Sequence, residues 1–151
     1  MGIPYLSRFA TTNEVSRIGT VSTANGSSSD TNEAVFKSPW TAITESDAVL
    51  LVPDAGVLVA GDLVVVGMQP WAGHGDPANW GAILERLLAL DWQRVVPGHG
   101  PVSGREVVEP LRDYLLVLDE AVREDRELPE RFRLWGQPDM WATNIAALRE
   151  R

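Results

Sequence analysis

At 151 residues and 44% apolar content, the chain has the length of one domain with a sizeable core. Its formal net charge of −8 excludes a nucleic-acid partner, because a polyanionic backbone needs a clustered basic face and none is visible; an anionic membrane surface is disfavoured on the same ground. With no cysteine, disulfides, thiolate zinc sites and cysteine nucleophiles are ruled out together.

Residues 1–10 lack the basic start and apolar run of a secretory leader, and no stretch approaches the roughly 20 apolar residues of a membrane span. The expectation is a cytoplasmic protein with no membrane partner. Residues 20–32, TVSTANGSSSDTN, contain almost nothing apolar. Such a composition buries too little surface to offset the ordering of its chain. Residues 1–36 are therefore expected to form a low-complexity, partly disordered segment, and residues 37–151 the packed domain. All six tryptophans (Trp40, Trp71, Trp80, Trp92, Trp135 and Trp141) fall in the second part, and bulky aromatics contribute most to core burial.

The run from Asp47 to Pro53, DAVLLVP, reads as a buried strand. Asp54-Ala55-Gly56 supplies a tight turn. A second strand opens at Val57, breaks at Gly61-Asp62 and resumes over 63–66, so that the pair reads as a hairpin with a functional interruption. After a loop over 67–75, a helix runs from Pro77 to about Leu90, with Asp76 as its N-cap and Pro77 at a position where its missing N–H costs nothing. Trp80, Ile83, Leu84, Leu87 and Leu88 share one face of it.

A short strand at 94–96 leads into Pro97-Gly98-His99-Gly100-Pro101. Ser103 and Glu106 have the spacing of a capping box. The helix they open carries its apolar stripe through Leu111, Leu115 and Leu118, ends near Glu127, and contains Pro110, which predicts a kink or a short first turn and a restart. A last helix spans about 139–149. Strand–strand, helix, strand, helix describes an α/β fold with one mixed sheet and helices on one face.

Three stretches could carry chemistry: Asp62 at the break in the hairpin, His99 between two glycines, and the loop holding Trp71, His74 and Asp76. Each has an ordinary structural reading. Asp62 could anchor backbone N–H groups in a turn, and as a buried carboxylate it would need a metal, a cation or several donors. His99 could be a hydrogen-bonded hinge residue. His74 reads as a solvent-exposed loop side chain, and Asp76 as a helix cap.

In combination, Ala60-Gly61-Asp62, the tryptophan loop, the Asp76-Pro77-Ala78-Asn79-Trp80 helix start and Pro97-Gly98-His99-Gly100-Pro101 resemble the C-terminal half of metallo-β-lactamase-fold hydrolases. The flavour is that of glyoxalase II and quinoprotein-associated zinc hydrolases, and the resemblance extends to Asn144-Ile145-Ala146-Ala147-Leu148 in the last helix. It implies half of an αββα sandwich that binds zinc, or sometimes iron or manganese, and hydrolyses an ester, thioester or amide with a nucleophile drawn from water. Asp62 matches the aspartate ligand and His99 the last histidine ligand, with His74 a possible third.

Two departures stand against a working centre. The His-x-His-x-Asp-His motif of the family is missing, the chain having two histidines in all. Where the family reads Ala-His-Thr-x-x-Asp, this chain reads Ala42-Ile43-Thr44-Glu45-Ser46-Asp47, and isoleucine binds no metal; Glu45 stands close to the lost histidine and could in principle substitute. No catalytic residue is therefore assigned. The expectation is a catalytically inert half-fold, with its open sheet face covered by a second copy or by a complementary N-terminal half. The alternatives are a hydrolase whose ligands a partner chain or homodimer completes, and a fragment of a longer gene.

Overall fold

The structure, a computed structural model, describes residues 15–16, 34–37, 47–124 and 126–151. Strand β3 (Ala48–Val52) alternates as a half-buried strand should: Val49 and Leu51 are buried, Leu50 and Val52 only partly so. A single 3₁₀ turn, Pro53–Ala55, closes at Gly56 and returns the chain as β4 (Val57–Val65), antiparallel to β3 with Leu50 opposite Val59. Helix α1 (Pro77–Leu88) carries the chain over to β5 (Arg94–His99), which lies parallel to β4 on its other side. Two further strands, β1 (Val15–Ser16) and β2 (Ala34–Lys37), extend the sheet in the order β1-β2-β3-β4-β5, with every pairing antiparallel except the last. Helices α2 (Val108–Glu124) and α3 (Met140–Arg149) complete the α/β architecture.

Helix α1 begins as the sequence requires. The Asp76 carboxylate accepts from the Asn79 backbone N–H at 3.0 Å, and Pro77 holds the first helical position. Its buried face contains Trp80, Ile83, Leu84 and Leu87. The Trp80 indole N–H donates to the Leu63 carbonyl at 3.0 Å, which ties the helix to β4 one residue beyond Asp62. Helix α2 follows a separate 3₁₀ turn, Arg105–Val107, and Pro110 falls in its first turn, where no intrahelical N–H bond is lost. This is the short turn and restart expected from Pro110.

The Ser103–Glu106 capping box is not formed. Because the α-helix starts downstream at Val108, the Ser103 hydroxyl donates instead to the Pro101 carbonyl, and Glu106 accepts from the Gly104 N–H.

The core lies between the helices and one face of the sheet. Leu51, Leu58 and Val95 sit side by side across β3, β4 and β5, and they pack with Leu84, Leu111 and Leu115 in a single buried cluster. On the opposite face the row Leu50, Val59 and Val96 is partly exposed, with Val59 at 37%. No helix among the described residues is long and apolar enough to cross a membrane.

Some expectations needed adjusting. Strands β1 and β2 were not foreseen, and β5 runs to His99 rather than stopping at Val96. Helices α1 and α2 end at Leu88 and Glu124, a turn or less before the expected points. Residues 20–32, Trp40 and 42–46 lie outside the described residues.

Candidate functional site

The pairing of β4 with β5 is regular as far as Val59–Val96 and then becomes irregular. Gly61 is opposite Pro97 and Val65 is opposite His99, so four steps along β4 (61 to 65) are matched by two along β5 (97 to 99). Surplus residues in one strand of a pair bulge out and re-aim their side chains. Asp62 lies in that surplus. Its carboxylate Oδ1 is 3.4 Å from Nε2 of His99, the last residue of β5. The Val66 N–H donates to the His99 carbonyl at 3.0 Å and closes the strand end behind the pair.

Gly98 makes the approach possible. A Cβ there would sit 2.7 Å from the Asp62 backbone nitrogen and closer still to Oδ1, nearer than real Cβ atoms come to a neighbour. The sequence reading of Asp62 as a buried carboxylate is corrected: the Asp62 and His99 side chains are 63% and 60% exposed. Hydration at the sheet edge removes the desolvation cost on which that reading rested.

His74 lies in a tight turn in which the Gly75 N–H donates to the Ala72 carbonyl at 3.0 Å. Its ring is exposed and meets the Trp71 ring edge-on, with centroids 5.4 Å apart. The structure brings Asp62 and His99 together. Among the described residues no group of three or more His, Asp or Glu side chains is placed to hold a metal ion, so His74 does not join the pair in one cluster. Ile43 and Glu45 lie outside the described residues.

Carboxylate oxygen and imidazole nitrogen are suitable donors for zinc, iron or manganese. A catalytic zinc takes three protein ligands and keeps one open position. The two donors described here do not by themselves fit such a centre.

A buried polar junction under the 67–76 loop escaped the sequence reading. Gln69, Tyr114 and Asn144 are all within 1% of full burial. The Tyr114 hydroxyl donates to Gln69 Oε1 at 3.4 Å, with the Asn144 side chain close enough to favour its ionised form slightly. Burial raises the pKa of Tyr114 well above its ordinary value, and the neighbouring Asn144 side chain offsets this only in part. The sequence did carry a signal. Asn144 stands three residues after Trp141 and four before Leu148, a polar residue on the apolar stripe of its helix.

No protein-family model and no curated protein sequence matches the chain. Solved structures do. The DIM-1 metallo-β-lactamase aligns at a TM-score of 0.51 and 20% identity over 56% of this chain and 42% of that one. The mono-zinc form of the metallo-β-lactamase FIM-1 from Pseudomonas aeruginosa aligns at 0.50 and 21% over 70% and 46%. The inverting sec-alkylsulfatase Pisa1 from Pseudomonas sp. aligns at 0.63 and 14% over 83% of this chain and 25% of that enzyme. The chain thus spans less than half the length of the structures it matches. The matched part has the metallo-β-lactamase fold, and at these identities the likeness extends to the fold alone.

Proposed function

We propose that this chain is a hydrolase-like protein of metallo-β-lactamase fold with an incomplete metal site, inert as a hydrolase on its own. The observation that carries the reading is the donor count at the Asp62–His99 edge: one carboxylate and one imidazole within 3.4 Å, with no third His, Asp or Glu among the described residues placed to complete the set. Incubation with zinc followed by desalting is expected to leave less than about 0.1 metal per chain. Hydrolysis of chromogenic ester, thioester and β-lactam substrates is expected not to exceed that of the Asp62→Ala/His99→Ala double variant. Stoichiometric zinc, with turnover that the double variant lacks, overturns the reading.

A second reading is favoured by one observation, the partly exposed apolar row Leu50, Val59 and Val96 on the sheet face opposite the helices. Faces of this kind associate. A second copy, or a segment equivalent to the part of the matched structures that this chain does not span, would cover it and could bring the remaining ligands to Asp62 and His99. On that reading the assembly is a metal-dependent hydrolase of an ester, thioester or amide. It predicts that metal uptake appears together with a doubling of mass, or with the added partner, and never in the monomer.

A further inference from the structure

The loop over 67–76 leaves the same strand end that holds the Asp62–His99 pair, since Gly67 follows Val66 and Val66 is bonded to the His99 carbonyl. It presents Trp71 and the exposed His74. A ten-residue connection without regular structure would ordinarily sample many conformations. Here its backbone is tied at successive points to the last sixteen residues of the chain, 136–151.

The Gly136 N–H donates to the Gly67 carbonyl at 2.8 Å, and the Gln69 N–H donates to the Gly136 carbonyl at 2.9 Å. Asn144 of α3 then grips the middle of the loop from below. Its Nδ2 donates to the Pro70 carbonyl and its Oδ1 accepts from the Ala72 N–H, both at 2.8 Å. The Arg151 guanidinium donates to the Gly75 carbonyl. Packing reinforces these bonds: a Cβ at Gly73 would collide with the Trp71 ring and sit 2.8 Å from Ala147 Cβ, so the glycine lets both groups close over the turn.

Asn144 is the centre of this arrangement. It is fully buried and serves two loop backbone groups at once, one as acceptor and one as donor. Few other side chains carry two donors and an acceptor in so short a reach. Its removal would leave a buried N–H and a buried carbonyl of the loop unpaired, which penalises the observed conformation specifically.

We infer that Asn144 is a positioning residue: through it, the C-terminal helix holds the Trp71–His74 loop in a single conformation and sets what that loop presents beyond the strand end that carries Asp62 and His99. The inference does not depend on whether that pair takes a metal.

The chain's two histidines make the test compact. In the metal-free, chelator-treated 151-residue chain, the His74 ring resonances carry the ring-current shift of Trp71, and those of His99 serve as an internal reference. Asn144→Ala is expected to move the His74 signals toward free-histidine values with His99 unmoved. The Ala72 amide should exchange about tenfold faster or more, relative to the Val64 and Leu84 amides. Arg151→Ala, a change at an exposed residue, is expected to shift His74 in the same direction by less, at an unaltered melting temperature. The inference is overturned if both histidines respond alike, or if Ala72 exchange merely follows Leu84. Should Asn144→Ala fail to fold, the Arg151→Ala spectrum decides, and His74 signals unchanged there overturn the inference.

Discussion

The Asp62 carboxylate lies in the space that any side chain on Gly98 would need. The two residues belong to neighbouring parallel strands, and the contact exists because β4 carries surplus residues at this point while β5 carries a glycine. Gly98→Ala must therefore either expel the carboxylate or force the strands apart, at a cost typical of overpacking, about 1–3 kcal/mol. Expulsion also separates Asp62 from His99. The expected outcome is a lower urea midpoint together with a shift of the His99 ring resonances, while those of His74 stay in place. An unchanged His99 spectrum would mean that Asp62 does not occupy this space.

Arg105 gives a second prediction, where the chain enters β5, the end opposite His99. Its guanidinium donates to the carbonyls of Leu88, Leu90 and Trp92 and lies 4.6 Å from the centroid of the Trp92 ring. These carbonyls belong to the C-terminal end of α1 and the link into β5, where a cation is favoured by the helix dipole and helix-end carbonyls have no intrahelical N–H to pair with. Arg105→Ala is expected to lower stability by about 2 kcal/mol, the scale of hydrogen bonds to a charged group. Arg105→Lys should recover less than half of that, because an ammonium can neither fork across three carbonyls nor stack on an indole. Equilibrium urea unfolding of the three proteins measures both numbers.

Much of this architecture was legible because local chemistry and tertiary structure agree. Asp76 caps α1 in any context, the apolar run before Gly56 has to be a strand (though it is buried on one face only), and the stripe through Leu111, Leu115 and Leu118 has to face a core. What was not legible depends on pairings made at a distance. Val15–Ser16 and Ala34–Lys37 are too short to show a period, and β3 supplies the ladder that makes Ala34–Lys37 a strand. Ser103 and Glu106 had the right spacing for a cap but stand before the point where the helix begins. Asp62 and His99 could be picked out one by one. Their mutual contact and their exposure follow from the strand irregularity, which no spacing in the sequence encodes.

Tyr114 predicts an alkaline limit to stability. Its pKa is raised in the folded protein above the ordinary 10.0, chiefly by burial. Above pH 10 the unfolded chain releases the phenolic proton while the folded chain retains it. Unfolding is then favoured increasingly as pH rises, and the stabilisation fully present below pH 10 is lost progressively above it. The contribution from this one group is a slope of about 1.4 kcal/mol per pH unit. In Tyr114→Phe this part of the slope should vanish, at the cost of about 1 kcal/mol at neutral pH for the lost hydroxyl bond. Unfolding free energies measured from pH 8 to 11 in the two proteins test the sign and the size; parallel curves would show that Tyr114 is not the group responsible.

The two faces of the sheet should respond in opposite ways to substitution on β4. Leu58 is fully buried against the helices, whereas its neighbour Val59 is 37% exposed on the other side. Leu58→Ala opens a cavity and is expected to cost about 2–5 kcal/mol. Val59→Lys removes no core contact and should cost less than about 1 kcal/mol. If that face is where a second copy or a complementary half docks, however, the lysine puts a charge in the middle of an apolar contact. Lysine is the informative choice because the chain carries a net charge of −8. A positive residue eases long-range repulsion between copies, so lost association must come from the face itself. Sedimentation velocity on wild type and Val59→Lys at equal concentration is expected to show a heavier species in the wild type alone. If both sediment as the same species, the Leu50–Val59–Val96 row is not the contact, and the partner-completed reading of the site loses its support.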